Sequence, residues 1–237
     1  MDATTIRAAY DNDGLVRLPG AFPPEVAVEL AARVRSAGRL AELRRSDAFA
    51  PIGTPLVRDA IHAILGDIWR EPSDWGGALV TEPTAGTWQT PSGGWHLDYP
   101  VRGAPQVELH LKWLAYLEPV AHGGGATLVI AGSHQLVADW AAQADTGDAG
   151  RSTDVRDAVF GTSPWFDALR DAAAPDREAV LGEGTLVGGV HVRVEELTGS
   201  PGDVVLVHPH LLHAASPNHA DRPRLMVTGG LEALRSP

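Results

Sequence analysis

The segment Val107–Leu117, with the sequence VELHLKWLAYL, decides the fold class of this chain. Apolar side chains recur at every second position, at Leu109, Leu111, Trp113, Ala115 and Leu117. Polar side chains stand between them at Glu108, His110 and Lys112. Because neighbouring side chains of a strand point to opposite faces, this alternation predicts a strand with one face in the core. We expect the polar face to lie in solvent, with a polar contact as the alternative.

Further short apolar or alternating runs surround this strand, and Gly, Pro, Asn or Asp separates them. We predict strands at Ala78–Glu82, Gly94–Leu97, Thr127–Ile130, Gly189–Leu197, Asp203–Val207 and Pro223–Leu231. A helix does not follow each strand, which disfavours a doubly wound parallel sheet. The pattern favours a mainly β fold with flanking helices, a double-stranded β-helix of the jelly-roll or cupin-like type.

Helical patterns flank the β-rich part of the chain. Two apolar stripes at helical spacing predict helices that pack on the sheet, with Val26, Leu30 and Val34 in the first and Ile61, Ile64, Leu65 and Ile68 in the second. A short strand is predicted at Gly14–Pro19. Helix-prone runs at Val155–Phe160 and Trp165–Ala173 predict an insertion over one mouth of the barrel.

These elements predict one domain over residues 1–237, a length sufficient for one sizeable core. Residues 1–76 would support the sheet with helices and a strand. Residues 77–134 and 181–234 would form the jelly-roll core, and residues 135–180 the helical insertion or lid.

Composition excludes several classes of function. The 19 basic and 30 acidic residues give a net charge of −11, which would repel nucleic acid. No apolar stretch approaches the roughly 18 residues of a membrane span, and Met1–Tyr10 lacks the layout of a secretory signal. We therefore expect a cytoplasmic protein without a membrane partner, whose oligomeric state the sequence leaves open. Cysteine is absent, so any metal must be held by His, Asp or Glu.

The segment Gly93–Pro100, GGWHLDYP, contains two candidate metal ligands. Residues i and i+2 of an extended strand point to the same face. The imidazole of His96 and the carboxylate of Asp98 can therefore converge on one ion. A 2-His-1-carboxylate iron site needs one further histidine and leaves positions open for substrate and oxygen.

The third ligand is sought in the segment Gly202–Asn218, GDVVLVHPHLLHAASPN. It offers His208, His210 and His213, and spacing alone does not choose among them. On the following strand, Arg224 could bind a carboxylate with two parallel hydrogen bonds. Arg222 is the alternative cation, because strand alternation places it on the same side.

Taken together, these motifs resemble the phytanoyl-CoA dioxygenase-like branch of the Fe(II)/2-oxoglutarate oxygenases. Trp95–Pro100 resembles the first ligand motif of that family. Gly123–His134, GGGATLVIAGSH, is similar to its Gly-rich turn and strand, with Ala131 in place of a proline. Gly202–Asn218 followed by Arg224 resembles the distal histidine segment.

The resemblance implies the roles of the site residues. His96, Asp98 and His213 would bind Fe(II), and Arg224 would bind the C5 carboxylate of 2-oxoglutarate. Trp113 would lie beside this co-substrate, although its position on the apolar face also fits a core residue. The family often has a hydroxyl two residues after the distal histidine, where this chain has Ala215. Candidate replacements are Ser216 and Thr228.

The implied reaction consumes O2 and 2-oxoglutarate, releases succinate and CO2, and oxidises a C–H bond of a small metabolite or natural-product intermediate. The carboxylate of Asp98 disfavours halogenation, because related halogenases put a halide in its place. We expect the N-terminal strands, the loop Val101–Gln106 and the insertion with Trp140, Trp165 and Phe166 to bind the substrate. Two alternatives stay open: a cupin-like metalloenzyme that does not use 2-oxoglutarate, and a non-catalytic jelly-roll binder of small molecules.

Overall fold

The computed structural model describes residues 1–98, 107–143, 150–173 and 177–234. Its strands are β1 (Leu15–Leu18), β2 (Gly77–Thr81), β3 (Val107–Tyr116), β4 (Thr127–Ala131), β5 (Gly184–Val187), β6 (Val190–Leu197), β7 (Val204–Val207), β8 (His213–Ala215) and β9 (Arg224–Leu234). Its α-helices are α1 (Ala3–Asp13), α2 (Pro24–Ser36), α3 (Leu40–Arg45), α4 (Pro55–Leu65), α5 (Ser133–Gln143), α6 (Ser152–Phe160) and α7 (Pro164–Arg170). Short 3-10 turns lie at Ala50–Ile52, Gly66–Ile68 and Glu178–Val180.

The strands form two antiparallel sheets. The larger sheet has five strands in the order β1-β7-β3-β9-β2, and the smaller has four in the order β5-β6-β4-β8. Every named strand pair is antiparallel, and strands distant in sequence are neighbours, as in a jelly roll. The predicted mainly β fold with flanking helices is confirmed. Two strands, β5 and β8, were not predicted.

The N-terminal helices cover the outer face of the five-stranded sheet, as predicted. Leu30 of α2 and Ile61 of α4 join a core cluster with Leu111, Trp113 and Leu206 of the sheet. Pro55 begins α4 directly after the N-cap Thr54, whose side chain accepts a hydrogen bond from the amide of Val57. The predicted second stripe ends early, since Ile68 is 58% exposed. Its place beyond Leu65, where α4 ends, explains this exposure.

Helices α5, α6 and α7 lie on the outer face of the four-stranded sheet. Val137, Val159 and Phe166 pack in one apolar cluster with Leu128 of β4 and Val194 of β6. The described part of the insertion therefore lies outside this sheet, rather than over a mouth of the barrel as expected from the sequence. None of the helices in the described ranges is both long and apolar enough to cross a bilayer.

The space between the sheets is divided between a third apolar cluster and a cavity. Leu114, Tyr116, Val129 and Met226 belong to the cluster. The predicted strand at 94–97 is instead irregular, and it pairs through a single bridge between His96 and His213. This bridge places the His96 segment at the edge of the smaller sheet, beside the cavity.

Candidate metal centre

The structure brings His96, Asp98 and His213 together. One ligand atom from each of these residues lies within 4.8 Å of the other two. The Nε2 atom of His213 is 3.2 Å from Oδ2 of Asp98, and the Nε2 atom of His96 is 3.9 Å from Oδ1. Two imidazoles and one carboxylate on one side of a site form the donor set of non-haem Fe(II) oxygenases.

Backbone pairing aligns the two histidines. The amide of His96 donates to the carbonyl of His213 over 2.9 Å, and the amide of His213 donates to the carbonyl of His96 over 3.1 Å. Residues paired in this way project their side chains to the same face. The two rings consequently lie with their centroids 4.3 Å apart, and Asp98 follows His96 on that face.

Local hydrogen bonds orient both imidazoles for metal binding. Nδ1 of His96 lies 2.7 Å from the carbonyl oxygen of Gly94, and Nδ1 of His213 lies 2.9 Å from that of Leu211. Because a carbonyl oxygen only accepts, each Nδ1 carries the proton and donates it. A bound metal would take the Nε2 lone pair of each ring in its neutral form, as in metal sites where a backbone carbonyl fixes the histidine tautomer. The donor set therefore fits a divalent metal.

Lys112 stabilises the ionised form of Asp98. Burial by itself would raise the pKa of this carboxyl, but the hydrogen bond with His213 and the charges of His213 and Lys112 together hold it below its usual range. The ammonium of Lys112 contacts Oδ2 of Asp98 directly. Lys112 was expected in solvent. Its side chain lines the cavity instead, because the polar face of β3 points inward at this position. Nothing in the sequence indicated this role for Lys112, although it is the single lysine of the chain.

A cavity of about 270 Å³ extends from the three candidate ligands between the two sheets. Lys112 lies beside the ligands and Arg224 also reaches the cavity. The remaining wall is apolar or hydroxylic, formed by Leu79, Thr81, Leu114, Thr127, Val129, Val207, Ala215 and Thr228. The cavity is of a size that suits a small polar molecule.

Arg224 is a buried cation with an unfilled hydrogen-bonding capacity. Its side chain is on the first residue of β9 and is only 5% exposed. Nη1 donates to the carbonyl of Gly125, whereas Nε has no partner among the described residues. Burial lowers the pKa of Arg224 to about 10, so the guanidinium remains charged at neutral pH. A buried charge of this kind is costly unless an anion pairs with it.

Arg222 does not share this environment. It is exposed and is absent from the residues that line the cavity. Between the two arginines that the sequence left open, the geometry therefore favours Arg224 as the partner of a bound carboxylate.

Trp113 lies on the opposite face of β3 from the cavity. Its indole is fully buried among the N-terminal helices, 5.3 Å from the ring of Trp75, and Nε1 donates to the carbonyl of Trp75 over 3.2 Å. Strand alternation explains this position, because Lys112 and Leu114 are the residues that point inward. The expectation that Trp113 lies beside the co-substrate is corrected: it is a core residue.

The two candidate hydroxyls also differ in position. Oγ of Ser216 donates to the carbonyl of Ala126 over 2.8 Å and is buried. Thr228 instead lines the cavity, on the same strand as Arg224. The geometry therefore favours Thr228 as the replacement for the hydroxyl missing at Ala215.

Only some of the segments that were expected to bind the substrate line the cavity in the described part of the chain. From the N-terminal strands, Leu79 and Thr81 of β2 line the cavity. Phe166 is fully buried in the cluster under the insertion, and Trp140 and Trp165 pack against that cluster rather than lining the cavity. Residues 101–106, the expected binding loop, lie outside the described residues.

His208 and His210 belong to a separate group of aromatic rings. The ring of His208 lies 5.5 Å from Tyr10, 4.8 Å from His134 and 5.6 Å from His210. Its Nδ1 accepts a hydrogen bond from the amide of His210 over 3.1 Å. The group of candidate ligands includes His213 and neither of these two histidines. Tertiary geometry thus selects His213 from the three that the segment offered.

This ring group predicts a loss of stability in mild acid. Burial, with smaller contributions from the charges of His134 and His210, lowers the pKa of His208 to about 2 from an unfolded value of 6.5. The folded state therefore binds fewer protons than the unfolded state, and stability present above pH 6.5 is lost as pH falls below it. Between about pH 7.5 and 5.5, His208 should contribute a loss of about 1.4 kcal/mol.

Urea unfolding at the two pH values measures this effect. The variant His208→Asn retains an acceptor but does not titrate, so its loss of unfolding free energy should be smaller than that of the wild type by the stated amount. An equal loss in both proteins would show that His208 is not responsible. Burial also lowers the pKa of His134, which predicts that part of the pH dependence persists in the variant.

The chain is similar to known proteins in sequence and in fold. The family model for phytanoyl-CoA dioxygenase matches residues 10–226. The epimerase SnoN, solved in complex with Fe3+, alpha-ketoglutarate and nogalamycin RO, has 18% identity and a TM-score of 0.60, over 98% of this chain and 83% of its own. The alpha-ketoglutarate-dependent carbocyclase SnoK from nogalamycin biosynthesis has 16% identity and a TM-score of 0.60, over 98% and 84%.

A third structure, EvdO2 from Micromonospora carbonacea var. aurantiaca, has 16% identity and a TM-score of 0.56, over 100% of this chain and 92% of its own. At these identities the three structures support the fold. No curated protein matches the sequence.

Proposed function

The chain belongs to the phytanoyl-CoA dioxygenase family, and we propose that it is an Fe(II)- and 2-oxoglutarate-dependent oxygenase of a small-molecule substrate. Its reaction would be a C–H oxidation, with hydroxylation as the first expectation. Alpha-ketoglutarate in the names of the similar structures is the same compound as 2-oxoglutarate.

One observation carries the proposal: a candidate metal-binding triad shares one cavity with a buried arginine that has no acidic partner among the described residues. His96, Asp98 and His213 supply donors for a divalent metal, while Arg224 supplies a cation that lacks an anionic partner among the described residues. A dicarboxylate with a metal-chelating end and a free end satisfies both needs at once. A cupin-like enzyme without a 2-oxo acid would have no use for the buried guanidinium.

The residues of this chain would perform binding, orientation and exclusion of water. His96, Asp98 and His213 would hold Fe(II), and Arg224 would bind the distal carboxylate of 2-oxoglutarate with charge-assisted hydrogen bonds. When bound, the iron and 2-oxoglutarate supply the oxidising chemistry, in which O2 is consumed and succinate and CO2 are released. Apolar walls such as Leu79, Leu114 and Val129 limit water beside the reacting groups.

The substrate is proposed to be a small natural-product intermediate. The names of SnoN and SnoK place those proteins in nogalamycin biosynthesis, with epimerase and carbocyclase activities. The intact carboxylate of Asp98 favours hydroxylation, desaturation, epimerisation or ring formation over halogenation. Hydroxylation, epimerisation and ring formation are separated by product analysis once a substrate is known.

An anaerobic titration tests the proposal. The metal-free protein receives Fe(II) and then 2-oxoglutarate, and the weak visible charge-transfer band of a chelated 2-oxo acid is measured beside a His213→Ala sample. We expect the band in the wild type and its loss in the variant. Iron binding without a band would favour the cupin-like enzyme, and absence of iron binding would favour the non-catalytic binder.

A further inference from the structure

We propose that Ser152, in the helical insertion, is a positioning residue that holds the His96–Asp98 segment in its metal-binding conformation. The inference rests on the proposed function, because it assigns a support to the same metal centre. Ser152 is the first residue of α6, and it is distant in sequence from the segment it contacts.

The segment is held by hydrogen bonds on both of its edges. On one edge, the amide and carbonyl of His96 pair with the backbone of His213. On the other edge, the amide of Leu97 donates to Oγ of Ser152 over 3.0 Å, and this hydroxyl donates to the carbonyl of Leu97 over 2.7 Å. Successive residues of an extended chain direct their backbone groups to alternate edges, which explains why His96 and Leu97 bond to opposite sides.

On this edge, the hydroxyl of Ser152 makes the two backbone hydrogen bonds that a neighbouring strand would otherwise make. A hydroxyl both donates and accepts, so one side chain can satisfy the amide and the carbonyl of the same residue. Leu97 is 2% exposed, and its backbone groups would lose their described partner without this hydroxyl. Unpaired buried backbone groups are costly, so the segment would shift toward other conformations.

Helix α6, which carries Ser152, is packed against the same segment by buried apolar side chains. Val155, Val159 and Phe160 of the helix are each at most 1% exposed and join the apolar cluster that includes Leu97. A second contact from the same helix is made by Arg156, whose Nη1 donates to the carbonyl of Trp95 over 3.2 Å. The helix therefore contacts the residues on both sides of His96.

Both ligands on the segment depend on this geometry. Leu97 lies between His96 and Asp98, so freeing its backbone changes the relative position of the imidazole and the carboxylate. Groups that hold metal ligands in place typically contribute a factor of roughly 10–100 to metal affinity. Ser152 does not contact the metal ligands' donor atoms, and its effect is exerted through Leu97.

The test compares Ser152→Ala with Ser152→Thr and a control, Ser163→Ala. Ser163 is a matched residue, since its hydroxyl accepts from the amide of Trp165 at the start of α7. Anaerobic Fe(II) binding is titrated, the 2-oxoglutarate band is recorded, and amide hydrogen exchange of Leu97 is followed in the metal-free protein. For Ser152→Ala we expect roughly 10–100-fold weaker Fe(II) binding, an altered band and loss of Leu97 protection. Ser152→Thr should restore all three because it retains the hydroxyl.

The proposal is overturned if Ser152→Ala binds Fe(II) within about twofold of the wild type. It is also overturned if Ser163→Ala weakens binding equally, or if Ser152→Thr fails to restore it. Should Ser152→Ala not fold, Ser152→Cys, with a weaker donor of similar size, should show an intermediate loss of affinity, and wild-type affinity would contradict the proposal. Failure of the proposed function is distinguishable, because the wild type itself would then lack Fe(II) binding or the band.

Discussion

Replacement of Asp98 by alanine should abolish 2-oxoglutarate turnover while the protein remains folded. The change removes the single carboxylate of the candidate triad and leaves the ammonium of Lys112 beside the site without its partner. A positive charge in this position opposes binding of a divalent cation. The loss of Fe(II) affinity should therefore exceed the roughly 10–100-fold effect of removing a group that only supports a ligand.

Succinate formation from 2-oxoglutarate and the iron content after anaerobic reconstitution measure this effect. Asp67→Ala is the matched control, because the side chain of Asp67 is fully exposed and should not influence iron binding. Circular dichroism and thermal unfolding establish that the Asp98→Ala protein is folded. An active Asp98→Ala enzyme would remove Asp98 from the ligand set and reopen the assignment of the site.

Replacement of Arg224 by alanine should greatly raise the KM for 2-oxoglutarate at unchanged Fe(II) affinity. Removing one partner of a buried, hydrogen-bonded charge pair costs roughly 2–5 kcal/mol, which corresponds to a change of about 30-fold to several thousandfold. The iron ligands come from other segments, so iron binding does not depend on the guanidinium. Stability without co-substrate should be little changed or increased, since the described residues offer Arg224 no acidic partner.

Arg222→Ala is the control that distinguishes the two arginines. Arg222 is exposed and does not line the cavity, so its loss should leave the KM for 2-oxoglutarate near the wild-type value. Titration of 2-oxoglutarate at fixed iron concentration gives the KM of each of the two variants. If Arg222→Ala raised the KM and Arg224→Ala did not, the carboxylate-binding site would have to be placed outside the cavity.

Much of the fold was predictable from local patterns. The alternation in Val107–Leu117 and the short runs around it predicted the strands β2, β3, β4, β6, β7 and β9 to within a few residues. The N-terminal helices followed from their apolar stripes. The location of the insertion did not follow, because an amphipathic helix reports that one face is buried and not which surface covers it.

The candidate site was predictable to a similar extent. His96 and Asp98 were recognised from their spacing, and the resemblance to a family selected His213 and Arg224. Trp113 lies on the apolar face as expected, but there it is a core residue and not a neighbour of the co-substrate, and Lys112 was expected in solvent. Ser152 was missed altogether, since a serine at the start of a helix carries no signal of a contact with a segment distant in sequence.

The sequence by itself determined the strand pattern, the kinds of ligand available and the pairing of His96 with Asp98 on one face. These properties depend on residues a few positions apart, which covalent geometry and strand alternation bring together. Tertiary structure alone decided which face of β3 lines the cavity, that His208 lies apart from the triad, and that α6 supports Leu97. Each of these depends on contacts between segments distant in the chain, and such contacts are set by how the sheets and helices pack.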